Sequence, residues 1–165
     1  MLYSKPCEYA IRALAYLARP QGRPSAQGRE IARAENLPAP VLGKVLQELV
    51  RKGLLQSRRG PGGGFRLARR AELITLRDVV AAVDGLDHFL ECSVGLERCA
   101  DDAPCPLHHT WKGLRGHVMS FLETTSVAEM ARAVARKKEL MRRLHPSRPK
   151  KGAGRGPRRH GRSKD

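Results

Sequence analysis

Residues 53–68 read GLLQSRRGPGGGFRLA, and this stretch decides the fold. Two runs of strand-forming residues, 54–58 and 65–68, flank the turn GPGGG at residues 60–64. Glycine adopts the positive φ angles that a reversing chain needs, and Pro61 fixes one φ and stiffens the turn. Two such runs around a glycine-rich turn predict a β-hairpin.

The predicted hairpin is also strongly basic. Between residues 51 and 71 the chain has no Asp or Glu. The seven basic residues of this stretch are Arg51, Lys52, Arg58, Arg59, Arg66, Arg69 and Arg70. A basic hairpin favours a polyanionic partner, for which nucleic acid is the default.

Three helices are predicted before the hairpin, at residues 4–19, 25–35 and 39–52. Ser4 is expected to cap the first helix, and Pro6 is tolerated because it falls in the first turn. In all three segments apolar residues recur at helical spacing. Those expected to face the core are Ile11, Leu14, Leu17 and Ala18, then Ile31 and Ala32, then Val41, Leu42, Val45, Leu46, Leu49 and Val50.

Local signals bound the second and third helices. Ser25 is expected to cap the second helix, and residues 36–38 (Asn-Leu-Pro) break it. Gly53 is a natural end for the third helix. Two short helices joined by a tight turn and followed by a basic hairpin predict a winged helix-turn-helix, in which the hairpin is the wing.

This arrangement suggests how DNA would be bound. The major groove of B-DNA is about 12 Å wide and admits one helix, here the third. The wing can insert Arg58 or Arg59 into a narrow minor groove, where the potential is most negative. The residues expected to contact DNA are Ser25, Lys44, Gln47, Arg51, Arg58, Arg59, Gly60, Gly62, Gly63 and Arg66.

Three further helices are predicted, at residues 75–85, 107–124 and about 126–143. Thr75 and Ser126 are each followed three residues later by an acid, which is the spacing of a capping box. In the first of these helices Val79, Val80 and Val83 are expected to face the core, and Gly85 ends it.

The helix at residues 107–124 carries one predicted apolar seam, made of Trp111, Leu114, Val118, Phe121 and Leu122. A helix with such a seam outside a domain that already has a core often pairs with its copy. The seam therefore predicts a homodimer that presents two third helices to a palindromic operator. The alternative is that this helix packs back on its own domain. The predicted fold class is mainly α: a winged helix-turn-helix with a two-stranded wing, a cysteine loop and a long dimerisation helix.

Composition supports a nucleic-acid partner. The 165 residues carry a formal net charge of +16. The last twenty residues, 146–165, hold eight Lys or Arg and one acid, and they are expected to form a disordered basic tail that adds salt-sensitive DNA affinity. No apolar run approaches the length of a membrane span, and the N-terminus lacks a signal-peptide pattern. We therefore expect a cytoplasmic protein.

Three of the four cysteines lie close together, in a loop where the charge becomes acidic. Cys92, Cys99 and Cys105 are separated by six and by five residues. Thiolates select zinc, copper(I) or iron–sulphur clusters. Zinc sites normally include a closer pair of cysteines, so the wide spacing favours a polynuclear cluster. A structural zinc, or three thiols without a metal, are the alternatives.

A closed site around three thiolates needs a fourth ligand. His108 lies three residues after Cys105, and Cys7 and Glu8 near the N-terminus are other candidates. Cys7 is better explained as a buried helix residue. An enzyme that uses Cys105 as nucleophile and His108 as base has no further support, because the chain shows no phosphate loop, no paired carboxylates and no third triad member. An enzyme is therefore not expected.

The chain resembles the Rrf-two (BadM-type) winged-helix regulators of bacteria, the group that contains IscR, NsrR and RirA. The similar stretches cover roughly residues 2–140. They are the opening SKPCEYAIRAL, the wing RRGPGGGFRLAR, the helix ITLRDVVAAVDG, the cysteine loop leading into Trp111, and the turn TTSVAEM.

The resemblance implies a homodimeric repressor or activator that binds a 2Fe-2S or 4Fe-4S cluster. Cys92, Cys99 and Cys105 would be ligands of the cluster. In IscR-like members the fourth ligand is a histidine placed as His108 is, whereas in NsrR-like members it is an acid placed as Glu8 is and supplied by the partner subunit. The gap between Cys92 and Cys99 is one residue longer than the commonest spacing in the family.

We therefore predict a transcriptional regulator, most simply a repressor, whose operator affinity is controlled by an iron–sulphur cluster sensing iron, redox or nitric oxide status. The alternative is a winged-helix regulator with zinc or no metal in the loop. The predicted organisation is a DNA-binding domain at residues 1–85, the cluster loop and dimerisation helices at 86–145, and the tail at 146–165.

Overall fold

The computed structural model describes residues 2–19, 25–60, 62–96 and 99–145. The predicted mainly α fold class is confirmed, because the described residues form helices and a two-stranded antiparallel sheet. The helices are α1 Lys5–Leu17, α2 Gly28–Glu35, α3 Ala39–Arg51, α4 Leu76–Val83, α5 His108–Thr124 and α6 Val127–Leu144, and the strands are β1 Leu55–Arg58 and β2 Gly64–Leu67. The predicted loop at 20–24, the stiffening Pro61 and the tail at 146–165 lie outside the described residues.

Helix α1 lies at the centre of the molecule and packs against α2, α3, α4 and α6. Its N-cap is Ser4, as predicted: the Ser4 hydroxyl accepts a hydrogen bond from the Cys7 N–H at 3.2 Å. The Ser4 N–H donates to the Asp84 carboxylate at 2.8 Å, which ties the start of α1 to the end of α4. Most of the small and branched residues of α1, including Ile11 and Leu14, are buried because the helix is covered on several sides.

The segment before α2 differs from the prediction. Helix α2 begins at Gly28 rather than at residue 25, so Ser25 does not cap it. Ala26 instead pairs with Phe65 of β2 through two backbone hydrogen bonds of 2.8 and 3.0 Å. Because these bonds satisfy the backbone in an extended conformation, they outcompete an earlier start of the helix. The break after α2 is as predicted, since Asn36 adopts a left-handed conformation with φ of 51°.

Helix α3 buries Leu42, Val45, Leu46 and Leu49 against the core. The predicted apolar stripe was too wide, because Val41 is 40% exposed. Val41 precedes Leu42 by one position in the first turn, so it lies about 100° away around the helix axis and outside the buried arc.

The two strands of the wing pair in the register that places Leu55 opposite Leu67 and Arg58 opposite Gly64. Phe65 and Leu67 pack against the core. Gly64 has a φ of +134°, and a Cβ atom there would lie 2.5 Å from the carbonyl oxygen of Ala26. The glycine is therefore required both by its backbone conformation and by the close approach of the segment before α2.

Two capping boxes lie side by side at the starts of α4 and α6. Thr75 and Ser126 each cap their helix as predicted. These two residues also form an antiparallel bridge, with hydrogen bonds from the Leu76 N–H to the Thr125 carbonyl at 2.9 Å and from the Val127 N–H to the Ile74 carbonyl at 2.8 Å. The C-terminal helix is thereby fixed to the start of α4.

The apolar residues of α5 do not form the single seam that was predicted. Leu122 is buried, and Val118 packs partly against the core of its own chain. Leu107, Leu114 and Phe121 are instead 50%, 54% and 47% exposed. These three residues are spaced by seven, so they share one face of the helix, which we call the exposed α5 face. One side of α5 therefore packs on its own domain, as the alternative expectation had it, another side is exposed, and the homodimer stays a prediction.

No helix that the structure describes has the combination of length and apolar character needed to cross a membrane.

Candidate functional site

The outer face of α3 is polar and accessible. Lys44, Gln47 and Arg51 are all exposed, as predicted for a helix that enters a groove. Arg51 forms an ion pair with Glu48 one turn earlier on the same helix. That pair lies at the solvent-exposed end of the helix, so a phosphate could compete for the guanidinium at little cost.

The outer face of the wing carries a second group of polar side chains. Strand pairing sets Gln56 opposite Arg66, and the Arg66 Nε–H donates to the Gln56 side-chain oxygen at 3.0 Å. Arg58, two residues after Gln56, shares this face because side chains alternate along a strand. Arg58 and Arg59 are both exposed. The wing therefore offers three guanidinium groups to solvent.

Two hydrogen bonds hold the wing turn, one from the segment before α2 and one within the turn itself. The Ser25 hydroxyl donates to the Gly62 carbonyl at 3.2 Å, so this residue links the segment before α2 to the wing. Gly60 and Gly62 are exposed and have positive φ angles. Gly63 is buried, and its N–H donates to the Gly60 carbonyl at 2.9 Å. The three glycines thus shape the turn that carries Arg58 and Arg59.

Cys92 lies at the start of the cysteine loop and is buried. Hydrogen bonds from the backbone N–H groups of Val94 and Leu96 lower the pKa of its thiol, and a hydrogen bond with the Cys105 side chain acts in the same direction. A thiolate in this position has donors arranged around it before any metal binds. Cys92 and Cys105 therefore form the first pair of potential ligands.

Cys99 and His108 form the second pair. The Cys99 Sγ lies 3.4 Å from Nδ1 of His108, whose side chain is only 2% exposed. The other ring nitrogen, Nε2, lies 2.7 Å from Oδ1 of Asp101. Hydrogen bonds from Lys112 and then from His108 lower the pKa of Asp101 to about 2, so this carboxylate is ionised at neutral pH.

The ends of the loop are held independently of the cysteines. The Trp111 indole N–H donates to the Glu91 carbonyl at 3.0 Å, and Arg115 donates to the Phe89 carbonyl at 3.4 Å. Both donors belong to α5, and both acceptors precede Cys92. We call this pair of contacts the loop clamp. It brings the start of the loop to the side of α5 on which His108 is placed.

The two N-terminal candidates for the fourth ligand differ in their surroundings. Cys7 is completely buried, and burial, followed by the nearby Asp84 charge, raises the pKa of its thiol to about 12. Its interpretation as a core residue is confirmed. Glu8 is half-buried and pairs with Lys5 at 2.7 Å and Arg12 at 3.6 Å on its own helix.

The donor set of the loop fits an iron–sulphur cluster in its chemistry. Three thiols and one buried imidazole come from a single segment, and they already associate as two pairs. In the part of the chain that the structure describes, no group of three or more metal-binding side chains lies close enough to hold one metal ion. The loop is closed by its own hydrogen bonds instead.

The sequence analysis did not single out Asp101 or Lys112. Asp101 was counted only as one acid in an acidic stretch. A usable signal was present, because His108 and Lys112 are four residues apart at the start of a predicted helix and so face the same way. A carboxylate within the preceding loop was the natural partner for both.

Comparison with known proteins gives consistent results. Residues 3–133 match the model of the Rrf2 family, described as an iron-dependent transcriptional regulator. A protein of Aquifex aeolicus (strain VF5), assigned as an HTH-type transcriptional regulator, is 33% identical over 132 residues, which cover 79% of this chain and 91% of that protein. The HTH-type transcriptional regulator IscR of Cereibacter sphaeroides is 31% identical over 134 residues, covering 79% and 86%. The structure of CymR (YrzC), the global cysteine regulator of B. subtilis, superposes with a TM-score of 0.66 at 23% identity, covering 79% and 95% of the two chains.

Proposed function

This chain belongs to the Rrf2 family of transcriptional regulators, and we propose that it is a cytoplasmic, homodimeric repressor whose operator affinity is controlled by an iron–sulphur cluster in the cysteine loop. The observation that carries the proposal is the pairing of the buried His108 imidazole with the Cys99 thiol, in the same loop that pairs Cys92 with Cys105. The related proteins are regulators rather than enzymes, as the sequence predicts.

DNA binding would use α3 and the wing together. Lys44 and Arg51 are long cations that reach phosphates, and Gln47 between them can make paired hydrogen bonds to an adenine edge. On the wing, Arg58 ends β1 and Arg59 follows it directly before the glycine turn, so both can enter a narrow minor groove. Two such surfaces in a dimer would read a palindromic operator.

The cluster would be held by Cys92, Cys99, Cys105 and His108. We favour His108 over Glu8 because the imidazole is buried in the loop beside Cys99, whereas Glu8 is occupied by cations on α1. Glu8 from the partner subunit is the alternative fourth ligand. A bound cluster supplies a group that oxygen, nitric oxide or iron scarcity can dismantle, and its ligands would be released with it.

Loss of the cluster can change the placement of α3 through two contacts. Helix α5 begins at His108 and packs against α4. The end of α5 leads into the bridge between Thr75 and Ser126, which fixes the start of α4. A loop that relaxes would change how α5 is held and so the separation of two α3 helices in a dimer. Coupling of this kind typically changes affinity by about 1–3 kcal/mol.

The first test is an absorption spectrum of the full chain purified without oxygen, with iron, acid-labile sulphide and zinc measured on the same sample. We expect a brown protein that bleaches in air or nitric oxide. Cys105→Ala should lose the cluster, while Cys7→Ala should keep it, because Cys7 is buried away from the loop. A colourless protein with one zinc per chain would contradict the sensing role and would indicate a structural metal site.

The fourth ligand is tested by comparing His108→Ala with Glu8→Ala. We expect His108→Ala to lose iron and sulphide and Glu8→Ala to retain both. The opposite result would assign the ligand to the partner subunit's α1 helix.

DNA binding is tested separately, using a duplex selected from a random pool by the full chain. Arg59→Ala should weaken binding to that duplex by about 1–3 kcal/mol. Lys5→Ala removes one positive charge from α1 and is the matched control. Equal losses in the two variants would show that the wing contributes only net charge.

A further inference from the structure

The environment of His108 is asymmetric, and this asymmetry is the basis of a further inference. One ring nitrogen, Nε2, lies 2.7 Å from the Asp101 carboxylate, and the other, Nδ1, faces the Cys99 thiol at 3.4 Å. A carboxylate only accepts hydrogen bonds, so the neutral imidazole carries its proton on Nε2. The lone pair is then on Nδ1 and directed at Cys99.

We infer that Asp101 is a positioning residue, which selects Nδ1 of His108 as the nitrogen presented to the cluster and fixes the orientation of the ring. This inference rests on the proposed role of His108 as the fourth ligand. Histidines that bind metals generally donate their second N–H to a carboxylate or carbonyl, which fixes the tautomer and makes the ligand more basic. Asp101 is placed to do this before the cluster is present.

Lys112 holds Asp101 in place. Its ammonium group lies 2.8 and 2.7 Å from the two oxygens of the Asp101 carboxylate. His108 and Lys112 are four residues apart on α5, so the helix presents both to the same side, and Asp101 bridges them. Asp101 itself is 70% exposed, so its contacts with His108 and Lys112 orient its carboxylate.

If Asp101 only stabilised the fold, its substitution would lower stability. If it positions His108, its substitution would change the state of the imidazole and the properties of the cluster instead. An exposed ion pair such as Asp101 with Lys112 contributes little to folding. Substitution of Asp101 should therefore leave the fold stable, while loss of the acceptor oxygen changes which ring nitrogen is protonated and loss of the charge changes the properties of the cluster. Asp101→Leu removes the acceptor, and Asp101→Asn keeps an acceptor oxygen and a similar volume but removes the charge.

The first measurement uses the metal-free full chain labelled with ¹⁵N, in which NMR identifies the protonated ring nitrogen of His108. We expect the Nε2–H form in the wild type and in Asp101→Asn, and loss of that preference in Asp101→Leu. Asp87→Asn, which removes an exposed acid just before the loop, is the matched control and should match the wild type. An Nδ1–H form in the wild type, or an unchanged Nε2–H form in Asp101→Leu, would overturn the inference.

The second measurement uses the cluster-containing full chain, reduced without oxygen. Pulsed electron paramagnetic resonance detects the nitrogen that binds the cluster, and redox titration gives the reduction potential. We expect Asp101→Asn to keep the nitrogen signal and shift the potential to more positive values, since the negative charge is lost. Asp101→Leu should lower cluster affinity by about 10- to 100-fold.

These two measurements separate the inference from the proposed function. A wild type without iron and sulphide would contradict the proposed function, while the NMR result would still decide whether Asp101 positions His108. A second outcome would contradict the inference alone. In it, the wild type contains a cluster, and Asp101→Leu shows the same histidine nitrogen signal and the same reduction potential as the wild type.

Discussion

At the scale of single residues, the wing turn needs glycine for two separable reasons. Gly62 and Gly64 both have positive φ angles, but a Cβ at Gly62 would meet no atom within 4 Å, whereas a Cβ at Gly64 would meet the backbone of Ala26. We expect Gly62→Ala to lower the free energy of unfolding by about 1 kcal/mol through backbone strain. Gly64→Ala should lower it by about 2 kcal/mol or more, because the two pieces of backbone must also move apart. Urea unfolding of both variants measures the difference, and equal losses would mean that the approach of Ala26 is not constraining.

The two kinds of cysteine should differ in reactivity. Because burial raises the pKa of Cys7 to about 12, its thiol is protonated throughout the neutral range and becomes a thiolate only in strongly alkaline solution. We expect iodoacetamide at pH 8 to leave Cys7 unmodified in the metal-free folded protein and to modify it in urea. Cys99, which is only partly buried, is the internal control and should react in the folded protein. Mass spectrometry locates the label, and rapid labelling of Cys7 would contradict its place in the core.

At this scale, prediction from the sequence succeeded for residues whose hydrogen-bond partner lies a few positions away in the chain. Ser4, Thr75 and Ser126 cap helices through bonds to residues three positions away, and these were predicted. Ser25 was wrongly predicted to cap α2, because its neighbour Ala26 pairs through the backbone with Phe65, which lies far along the chain. Local spacing identifies a cap, but it does not reveal a distant strand that holds the preceding backbone in an extended conformation.

At the scale of elements, the exposed α5 face is an apolar surface that a single chain leaves open to solvent. Leu107, Leu114 and Phe121 are spaced by seven residues, which is the repeat of helices that pair. If the proposed dimer uses this face, we expect Leu114→Asp to raise its dissociation constant by more than tenfold, because the change would bury a charge in an apolar contact. Sedimentation measures the dissociation constant.

The matched control for this prediction is Leu73→Asp. Leu73 is 62% exposed in the short turn before α4, so the variant makes the same chemical change outside the exposed α5 face. A dimer weakened equally by both changes, or by neither, would remove α5 from the proposed interface.

The α5 helix also shows why its packing could be predicted only in part. The positions of Val118, Phe121 and Leu122 fit one broad helical face, and sequence spacing alone does not divide that face between two partners. The division depends on how α5 packs against α4 and the core, which buries Leu122 and leaves Leu114 exposed. The location of α5 was predicted to within one residue, whereas its contacts required the tertiary structure.

At the scale of the whole molecule, Glu35 joins the two halves of the chain. Its carboxylate is buried at the end of α2, where it pairs with Arg12 and Arg19 and receives two hydrogen bonds of 2.9 and 2.8 Å from Lys138 of α6, which is 103 residues away. We expect Glu35→Gln to lower the free energy of unfolding by about 2 kcal/mol, because three cations lose their shared partner. Chemical denaturation measures this.

Lys138→Met is the comparison for Glu35→Gln. Lys138 is half exposed, and its loss leaves Glu35 with two guanidinium partners. We expect a cost below about 1 kcal/mol. A loss in Lys138→Met as large as that in Glu35→Gln would mean that the docking of α6, rather than the charge balance at Glu35, carries the stability.

Long-range contacts also set the limit of prediction at this scale. The order of helices and hairpin follows from local periodicity, turn residues and charge, so the winged helix-turn-helix was predictable from the sequence. The burial of Glu35 was not, because an acid in a short polar helix has no local sign of the three cations that approach it from α1, from Arg19 just after α1 and from α6. The sequence predicted Cys99 and His108 as ligands of one site, but the contact between Asp101 and His108 was found only in the structure.

The loop clamp has a consequence for how the chain can change during evolution. Trp111 and Arg115 fix the ends of the cysteine loop without using any cysteine, so the cost of closing the loop does not depend on the ligands. Adding one residue to a loop of about 20 residues raises that cost by less than about 0.1 kcal/mol. Insertions and deletions between Cys92 and Cys99 are therefore nearly neutral for folding and are restrained only by what the cysteines bind. Their spacing can drift between lineages while the surrounding fold remains the same.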